Sequence, residues 1–178
     1  MYQIRIHGRG GQGVVTAAEL IAISAFIEGW ESQAFPSFGV ERTGAPIEAF
    51  ARIDKKPIRT REHVQNPHIL IIQDPTLIGT VDVTKGCNKE TIIIVNSSKT
   101  KDELGLDLPK ENIFVIDATK IALEILGRNI VNTIILGAFS KGTKLVSLNS
   151  LKKAIEQKFG KGEMGTKNIK AVEMAYNL

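Results

Sequence analysis

The segment that decides the fold is Tyr2-Gln-Ile-Arg-Ile-His-Gly-Arg-Gly-Gly-Gln-Gly13, which is followed by an apolar run over residues 14–26. Residues 2–7 alternate in the period of two that is typical of a β-strand. The glycines predict a tight turn, and residues 14–26 predict a helix that is apolar on most sides. We expect such a helix to pack against a sheet on one side and a second element on the other.

The rest of the chain continues the alternation of strands and helices. Short apolar runs that end in turn or polar residues are typical of buried parallel strands. The pattern predicts an α/β fold, a Rossmann-like three-layer α/β/α sandwich with a mostly parallel central sheet, in a single domain over residues 1–178. Strands are predicted at 31–36, 47–53, 69–73, 91–95 and 113–116, and helices at 75–80, 117–127, 132–141, 149–159 and 163–176.

The glycine turn fits the pattern Gly-x-Gly-x-x-Gly, in which the backbone presents N–H groups and a helix N-terminus to a phosphate. Arg9 adds a guanidinium, a good receptor for the phosphate or pyrophosphate of a nucleotide or of coenzyme A. A purely structural role, in which the glycines only allow a tight turn and close packing, stays open as the alternative. The candidate anion site comprises Gly8, Arg9, Gly10, Gly11, Gln12 and Gly13.

Two common kinds of phosphate site are disfavoured. A dinucleotide site needs an acidic residue at the end of the second strand to hold the ribose hydroxyls. The predicted second strand ends in Ala34-Phe35-Pro36, and Glu31 comes too early. A P-loop needs Lys-Ser or Lys-Thr after the glycines, and neither is present.

The composition is that of an ordinary globular protein, with 43% hydrophobic and 24% charged residues. No apolar run approaches the ~20 residues of a membrane span. The first residues lack the pattern of a secretory signal, so we expect a cytoplasmic protein without a membrane partner. The net charge of +4 is dispersed, which disfavours nucleic acid. Lysines predominate beyond residue 140, either as solvated helix surface or as a patch for an acidic partner.

Metal and thiol chemistry are also disfavoured. Cys87 is the only cysteine, so this chain cannot supply the thiolates of an iron–sulfur cluster. His7, His63 and His68 are scattered and do not have the spacing of a metal site. We therefore expect no metal and no cofactor to be bound by this chain alone.

The loop over residues 36–46 contains two prolines and two glycines, which exclude a regular element. Its aromatic and charged residues have the composition of a contact surface. Glu41 and Arg42 do not suggest an acid–base pair, because neighbouring side chains on an extended segment point apart. No catalytic residue is assigned. We predict an interface or substrate loop that includes Phe35, Phe38, Glu41, Arg42 and Thr43.

Three segments that span nearly the whole chain carry a family resemblance. The first is Ile4-Arg-Ile-His-Gly-Arg-Gly-Gly-Gln-Gly13, and the second is Gln33-Ala-Phe-Pro-Ser-Phe-Gly-Val-Glu-Arg-Thr-Gly-Ala-Pro46. The third runs from Asn66-Pro67 through Asp74-Pro-Thr-Leu77 to Leu136-Gly-Ala138. Together they resemble the gamma subunits of 2-oxoacid:ferredoxin oxidoreductases, and the second resembles the pyruvate and branched-chain oxoacid members.

The resemblance implies a function shared among several chains. In this family a 2-oxoacid loses carbon dioxide on thiamine diphosphate, with Mg as its metal, iron–sulfur clusters pass the electrons to ferredoxin, and coenzyme A takes the acyl group. The gamma subunit completes the assembly with alpha, beta and delta subunits. The glycine turn is then the candidate for the coenzyme A pyrophosphate. A free-standing Rossmann-like nucleotide- or phosphate-binding regulatory module is the alternative.

Overall fold

The structure is a computed structural model that describes residues 1–37 and 43–178. The described residues form one sheet, a set of helices and three 3₁₀ turns. The 3₁₀ turns lie at Pro75–Leu77, Asp102–Leu104 and Lys110–Asn112. The strands are β1 (Tyr2–Arg9), β2 (Glu31–Pro36), β3 (Pro46–Asp54), β4 (Ile69–Ile72), β5 (Ile92–Asn96) and β6 (Ile113–Ile116). The helices are α1 (Val14–Ile27), α2 (Ala118–Leu126), α3 (Ile135–Thr143), α4 (Leu148–Phe159) and α5 (Glu163–Asn177).

The six strands lie in the order β2-β3-β1-β4-β5-β6. β1, β4, β5 and β6 pair in parallel, whereas β3 is antiparallel to both of its neighbours, β1 and β2. The carboxyl ends of β1, β2, β4, β5 and β6 therefore lie at one edge of the sheet. The predicted α/β fold with its mostly parallel central sheet is confirmed. Ligands of such sheets bind at the carboxyl edge.

The two faces of the sheet are covered differently. Along β1, Ile4 and Ile6 point into a large apolar core that all five helices share, whereas Arg5 and His7 point to the opposite face. On that opposite face a smaller apolar cluster lies under irregular segments and 3₁₀ turns, which contribute Leu77 and Leu104. The sheet is thus central, with a thick helical layer on one side and a thinner irregular layer on the other.

Helix α1 is buried on most sides, as its apolar sequence predicts. It packs on β2 and β3, and its second packing partner is α4 of the same chain. An ion pair between Glu19 and Lys158, 2.6 Å apart, lies across the α1–α4 contact. Only the end of the helix leaves a large apolar side chain in solvent, where Phe26 is 71% exposed.

The helix predicted at residues 75–80 is reduced to the 3₁₀ turn Pro75–Leu77. Asp74 caps this turn by accepting a hydrogen bond from the Thr76 N–H. The turn ends at once, because Ile78 is extended and Gly79 has a positive φ of 82°. Among the described residues, none of the helices combines the length and apolarity that a bilayer crossing requires.

Candidate functional site

Three glycines of the turn are required by the fold, each for a different structural reason. A Cβ on Gly8 would lie only 2.5 Å from Val14 Cγ2. The start of α1 therefore lies so close to β1 that a residue with a side chain would clash at position 8. Gly11 and Gly13 have φ values of 92° and 70°, in the left-handed region that glycine tolerates best. Gly13 is also the N-cap of α1. The pattern therefore serves the fold at three positions, whatever the turn binds.

The backbone N–H groups of the turn fall into two sets. Three of them donate hydrogen bonds to other groups of the chain. The Arg9 N–H donates to Gln12 Oε1 (2.7 Å), the Gly10 N–H to the Ala45 carbonyl (2.9 Å) and the Gln12 N–H to the Arg9 carbonyl (3.0 Å). Within residues 1–37 and 43–178, the N–H groups of Gly11, Gly13 and the first helical residues 14–16 have no acceptor. These free donors lie at the positive end of the helix dipole, which is the arrangement that binds anions.

Arg9 connects the turn to two other segments. Its Nε donates to Asp74 Oδ2 (3.2 Å), its Nη2 to Thr76 Oγ1 (2.8 Å) and its Nη1 to the Gly44 carbonyl (3.0 Å). Gln12 Nε2 donates to the same Asp74 oxygen (2.8 Å). A guanidinium has five N–H donors, so two of them have no partner among the described residues after these three bonds. Arg9 thus connects the turn to residues 44, 74 and 76.

Asp74 partly neutralises the turn. Although burial alone raises the pKa of this carboxyl, hydrogen bonds from Thr76 and Gln12 and the charge of Arg9 together hold the pKa below its ordinary value. Asp74 is therefore ionised at neutral pH. Because its charge balances that of Arg9, this ion pair adds little net charge to the turn.

Part of the predicted loop meets the turn. Thr43 forms a bridge with Gly10, and the Gly44 N–H donates to the Gly10 carbonyl (3.0 Å). Phe35 lies elsewhere, in β2, where its ring packs on Phe50, with ring centroids 5.3 Å apart. The other three predicted loop residues, Phe38, Glu41 and Arg42, lie outside the described residues.

Two polar residues beneath the turn were not assigned to the site from the sequence. A Cβ on Gly13 would overlap the amide of Asn132, which lies just before α3. Gln73, the residue after β4, is 1% exposed, and among the described residues neither atom of its amide has a hydrogen-bond partner. Its Oε1 would lie 3.4 Å from a Cβ on Gly8. The sequence feature that could have indicated Gln73 as a site residue is its position as a polar residue directly after an apolar strand.

His7, His63 and Cys87 are titratable residues that are not part of the glycine turn. His7 is buried on the opposite face of the sheet, and burial together with the charge of Arg5 lowers its pKa to about 4. His63 packs on Phe50, and burial raises the pKa of the Cys87 thiol. In the described ranges no three His, Cys, Asp or Glu side chains are grouped so that they could hold a metal ion.

Comparisons with known proteins place the chain in a family. A family model described as pyruvate ferredoxin/flavodoxin oxidoreductase matches residues 3–178. The pyruvate/ketoisovalerate oxidoreductases common subunit gamma of Pyrococcus furiosus is 51% identical over 178 residues, which are 99% of this chain and 96% of that relative.

Solved structures agree with this placement. The crystal structure of pyruvate oxidoreductase subunit PORC from Thermotoga maritima matches with a TM-score of 0.85 and 35% identity, over 99% of this chain and 95% of that one. The same fold occurs in 2-oxoglutarate:ferredoxin oxidoreductase from Magnetococcus marinus with 2-oxoglutarate, coenzyme A and succinyl-CoA bound (TM-score 0.78, 22% identity, 99% of this chain, 30% of that chain). The resemblance carried by the three sequence segments is thereby confirmed, and the chain belongs to the pyruvate ferredoxin/flavodoxin oxidoreductase family.

Proposed function

We propose that this chain is the gamma subunit of a 2-oxoacid:ferredoxin oxidoreductase that acts on pyruvate or a branched-chain 2-oxoacid. The complex, completed by alpha, beta and delta subunits, converts the 2-oxoacid and coenzyme A into acyl-coenzyme A and carbon dioxide and reduces ferredoxin. The identity of 51% to a subunit common to pyruvate and ketoisovalerate oxidoreductases, over nearly the full length of both chains, supports this role.

The single cysteine and the described carboxylates of this chain do not form a site for the iron–sulfur clusters or for the Mg ion of thiamine diphosphate. A cluster is held by several cysteine thiolates, and the chain has one cysteine. A magnesium ion needs carboxylate or carbonyl oxygens that converge, and the described carboxylates do not gather in threes. We assign these groups to the partner subunits.

The share of this chain in the reaction is to hold coenzyme A at the glycine turn. The observation that carries this proposal is the row of N–H groups at Gly11, Gly13 and the start of α1 that have no acceptor within residues 1–37 and 43–178. Such a row, at the positive end of a helix, fits the pyrophosphate of coenzyme A. The two N–H groups of Arg9 that have no partner among the described residues are further charge-assisted donors.

The loop over residues 36–46 takes part through its contact with the turn. Three hydrogen bonds and a bridge join residues 43–45 to Arg9 and Gly10. A ligand at the turn therefore lies next to the base of this loop. We propose that the predicted loop residues, which include Phe38, Glu41 and Arg42, contact a partner subunit or the bound substrate.

Binding of coenzyme A at the glycine turn is tested by a substitution that adds a negative charge there without destabilising α1. Thr16 lies in the first turn of α1 and is partly exposed, and an acidic residue there is favourable for the helix itself. In the assembled complex, Thr16→Asp is expected to raise the KM for coenzyme A about tenfold, because ~1.4 kcal/mol of repulsion from the pyrophosphate suffices. The KM for the 2-oxoacid is expected to stay unchanged.

Asn149→Asp is the matched control, since it adds the same charge to the exposed first turn of α4. Steady-state kinetics of the complex reconstituted with each variant provide the measurement. An unchanged KM for coenzyme A in a fully assembled Thr16→Asp complex contradicts binding at the turn. Full activity of the partner subunits without this chain contradicts the subunit role and favours a free-standing phosphate-binding module.

A further inference from the structure

A groove of about 480 Å³ runs along the outer side of β6, the last strand of the sheet. β4 and β5 lie between this strand and β1, which carries the glycine turn. The groove is lined by β6, by α3 and by the end of α5, and its apolar side chains include Phe114, Ala138 and Ala175. Phe114 is 36% exposed. The helical layer therefore leaves this edge of the sheet partly uncovered.

The backbone of β6 has hydrogen-bonding groups that face the groove. Among the described residues β6 pairs with β5 alone. The Ser97 N–H donates to the Ile116 carbonyl at 2.9 Å, so the backbone groups of Ile116 and of Phe114 face β5. Because these groups alternate along a strand, those of Val115 point away from β5. Val115 lines the groove, and within residues 1–37 and 43–178 its N–H and carbonyl have no other backbone partner.

The two edges of the sheet differ in their protection against pairing with another chain. Edge strands of soluble proteins commonly carry charged residues or proline, which discourage such pairing. β2, at the opposite edge, begins with Glu31 and ends with Pro36. β6 has the sequence Ile-Phe-Val-Ile, with neither charge nor proline. An apolar edge strand beside an apolar groove is the arrangement that accepts an added strand together with its side chains.

The charged side chains of the groove favour an acidic occupant. Lys101 and Lys141 line it, and among the described residues neither is in an ion pair. The carboxylate of Asp117 also lines it, but this group caps α2 by accepting a hydrogen bond from the Lys120 N–H (2.9 Å). An acidic residue in the groove would therefore find an ammonium group without a partner.

The charge of the surrounding chain agrees with this preference. Residues 140–178 contain eight lysines and three glutamates, a net charge of +5, so residues 1–139 carry −1 of the total of +4. The groove lies at the beginning and the end of this basic region, which includes Lys141 and Ala175. A second copy of the chain is a poor occupant, because a two-fold axis at the edge would bring the same lysines to the contact from both sides.

We infer that the edge of β6 binds an extended segment of a partner subunit that carries apolar residues and an acidic one. The inference rests on the proposed role of the chain as a subunit of a complex. The segment adds a seventh strand to the six of the sheet through hydrogen bonds to Val115. Its apolar side chains contact Phe114, and its carboxylate pairs with Lys141. Assembly therefore uses a surface that is separate from the glycine turn.

The variant Lys141→Glu tests the charge of the partner segment. Titration of the chain into the alpha, beta and delta subunits, followed by acyl-coenzyme A formation, gives the concentration for half-maximal activity. Lys141→Glu is expected to raise it about tenfold or more, because repulsion replaces an ion pair at the contact. The rate at saturation is expected to stay unchanged. Lys153→Glu, at an exposed lysine outside the groove, is the matched control and is expected to change neither value.

Hydrogen exchange tests the added strand. Mass spectrometry of peptides that contain Val115 compares its amide in the isolated chain and in the assembled complex. The amide is expected to exchange at least tenfold more slowly in the complex, because it then donates to the partner strand. This measurement needs no substitution and therefore does not depend on how a variant folds.

The outcomes separate this inference from the proposed function. If the complex assembles but Lys141→Glu behaves as wild type, or the Val115 amide exchanges equally fast in both states, the inference is overturned and the proposed function stands. Failure of the wild-type chain to assemble with the other subunits overturns both. Slow exchange that appears in the isolated chain as its concentration rises, together with a dimer in sedimentation, assigns the edge to a second copy and also overturns the inference.

Discussion

At the scale of single residues, His7 makes the stability of the chain depend on pH. It is 3% exposed, and burial first and the charge of Arg5 second lower its pKa to about 4. The unfolded chain has the ordinary histidine pKa of about 6.5, so between pH 6.5 and 4 only the unfolded state binds this proton. The contribution of His7 to the free energy of unfolding should fall by about 1.4 kcal/mol per pH unit over that interval and level off below it.

Urea denaturation of the purified chain between pH 7.5 and 4 measures this dependence. His7→Gln should remove most of the slope between pH 6.5 and 4, whatever its effect on absolute stability. His68→Gln is the control, because His68 is exposed and its ring nitrogen accepts a bond from the Gln3 N–H that a glutamine oxygen can replace. Equal slopes in wild type and His7→Gln would show that His7 has the same pKa in the folded and the unfolded chain.

The sequence predicted the position of the glycine turn but not the residues that hold it. The strand, the glycine spacing and the following helix are local, and each has a local physical cause. The ties of Arg9 are not local, because Gly44, Asp74 and Thr76 are 35 to 67 residues away along the chain. Only the pairing of β1 with β3 and β4 brings them together. The sequence pattern therefore predicts where the N–H donors of the turn lie, but not which of them already donate to another part of the chain.

At the scale of secondary-structure elements, the packing of α3 on α5 depends on Gly137. A Cβ at this position would lie 2.8 Å from Ala175 Cβ and 2.8 Å from the Tyr176 backbone nitrogen. Gly137→Ala should therefore destabilise the chain by about 1–3 kcal/mol, the cost of overpacking. This result is opposite in sign to the gain of up to ~1 kcal/mol that alanine brings to an open helix position.

Gly142→Ala in the same helix is the matched control, because its Cβ would meet only the Phe114 ring, at an ordinary 3.5 Å. It should be neutral or slightly stabilising. Thermal or urea unfolding of both variants decides the matter, and a Gly137→Ala variant as stable as Gly142→Ala would mean that α5 moves aside at little cost.

The strands and helices were predicted correctly where the local sequence alone determines the structure. All six strands were predicted within two residues, because apolar runs bounded by turn residues leave few alternatives. The segment over residues 75–80 was predicted as a helix and forms one 3₁₀ turn. There the proline at the start resembles a helix N-terminus, while Gly79 ends the turn after three residues.

At the scale of the whole molecule, the two layers on the sheet are held by different forces. The helical layer shares a large apolar core, whereas the opposite layer has only a small apolar cluster. Two buried arginines add to the latter. Arg5 donates to the carbonyls of Val64 (3.3 Å), Gln65 (3.4 Å), Val83 (3.0 Å) and Lys85, and Arg52 donates to that of Glu62. In the described residues neither has a carboxylate within ion-pair distance.

We therefore expect the irregular layer to open before the helical one. Arg5→Lys should lower its opening free energy by about 1.5–3 kcal/mol, because a single ammonium cannot reach carbonyls on both segments. Hydrogen exchange measured by mass spectrometry should then quicken within residues 62–90, while α1, α3 and α5 keep their protection. Arg128→Lys, at an exposed position, serves as the control. If exchange quickens equally in both layers, they unfold as one unit, and the buried arginines stabilise the whole chain rather than one face of its sheet.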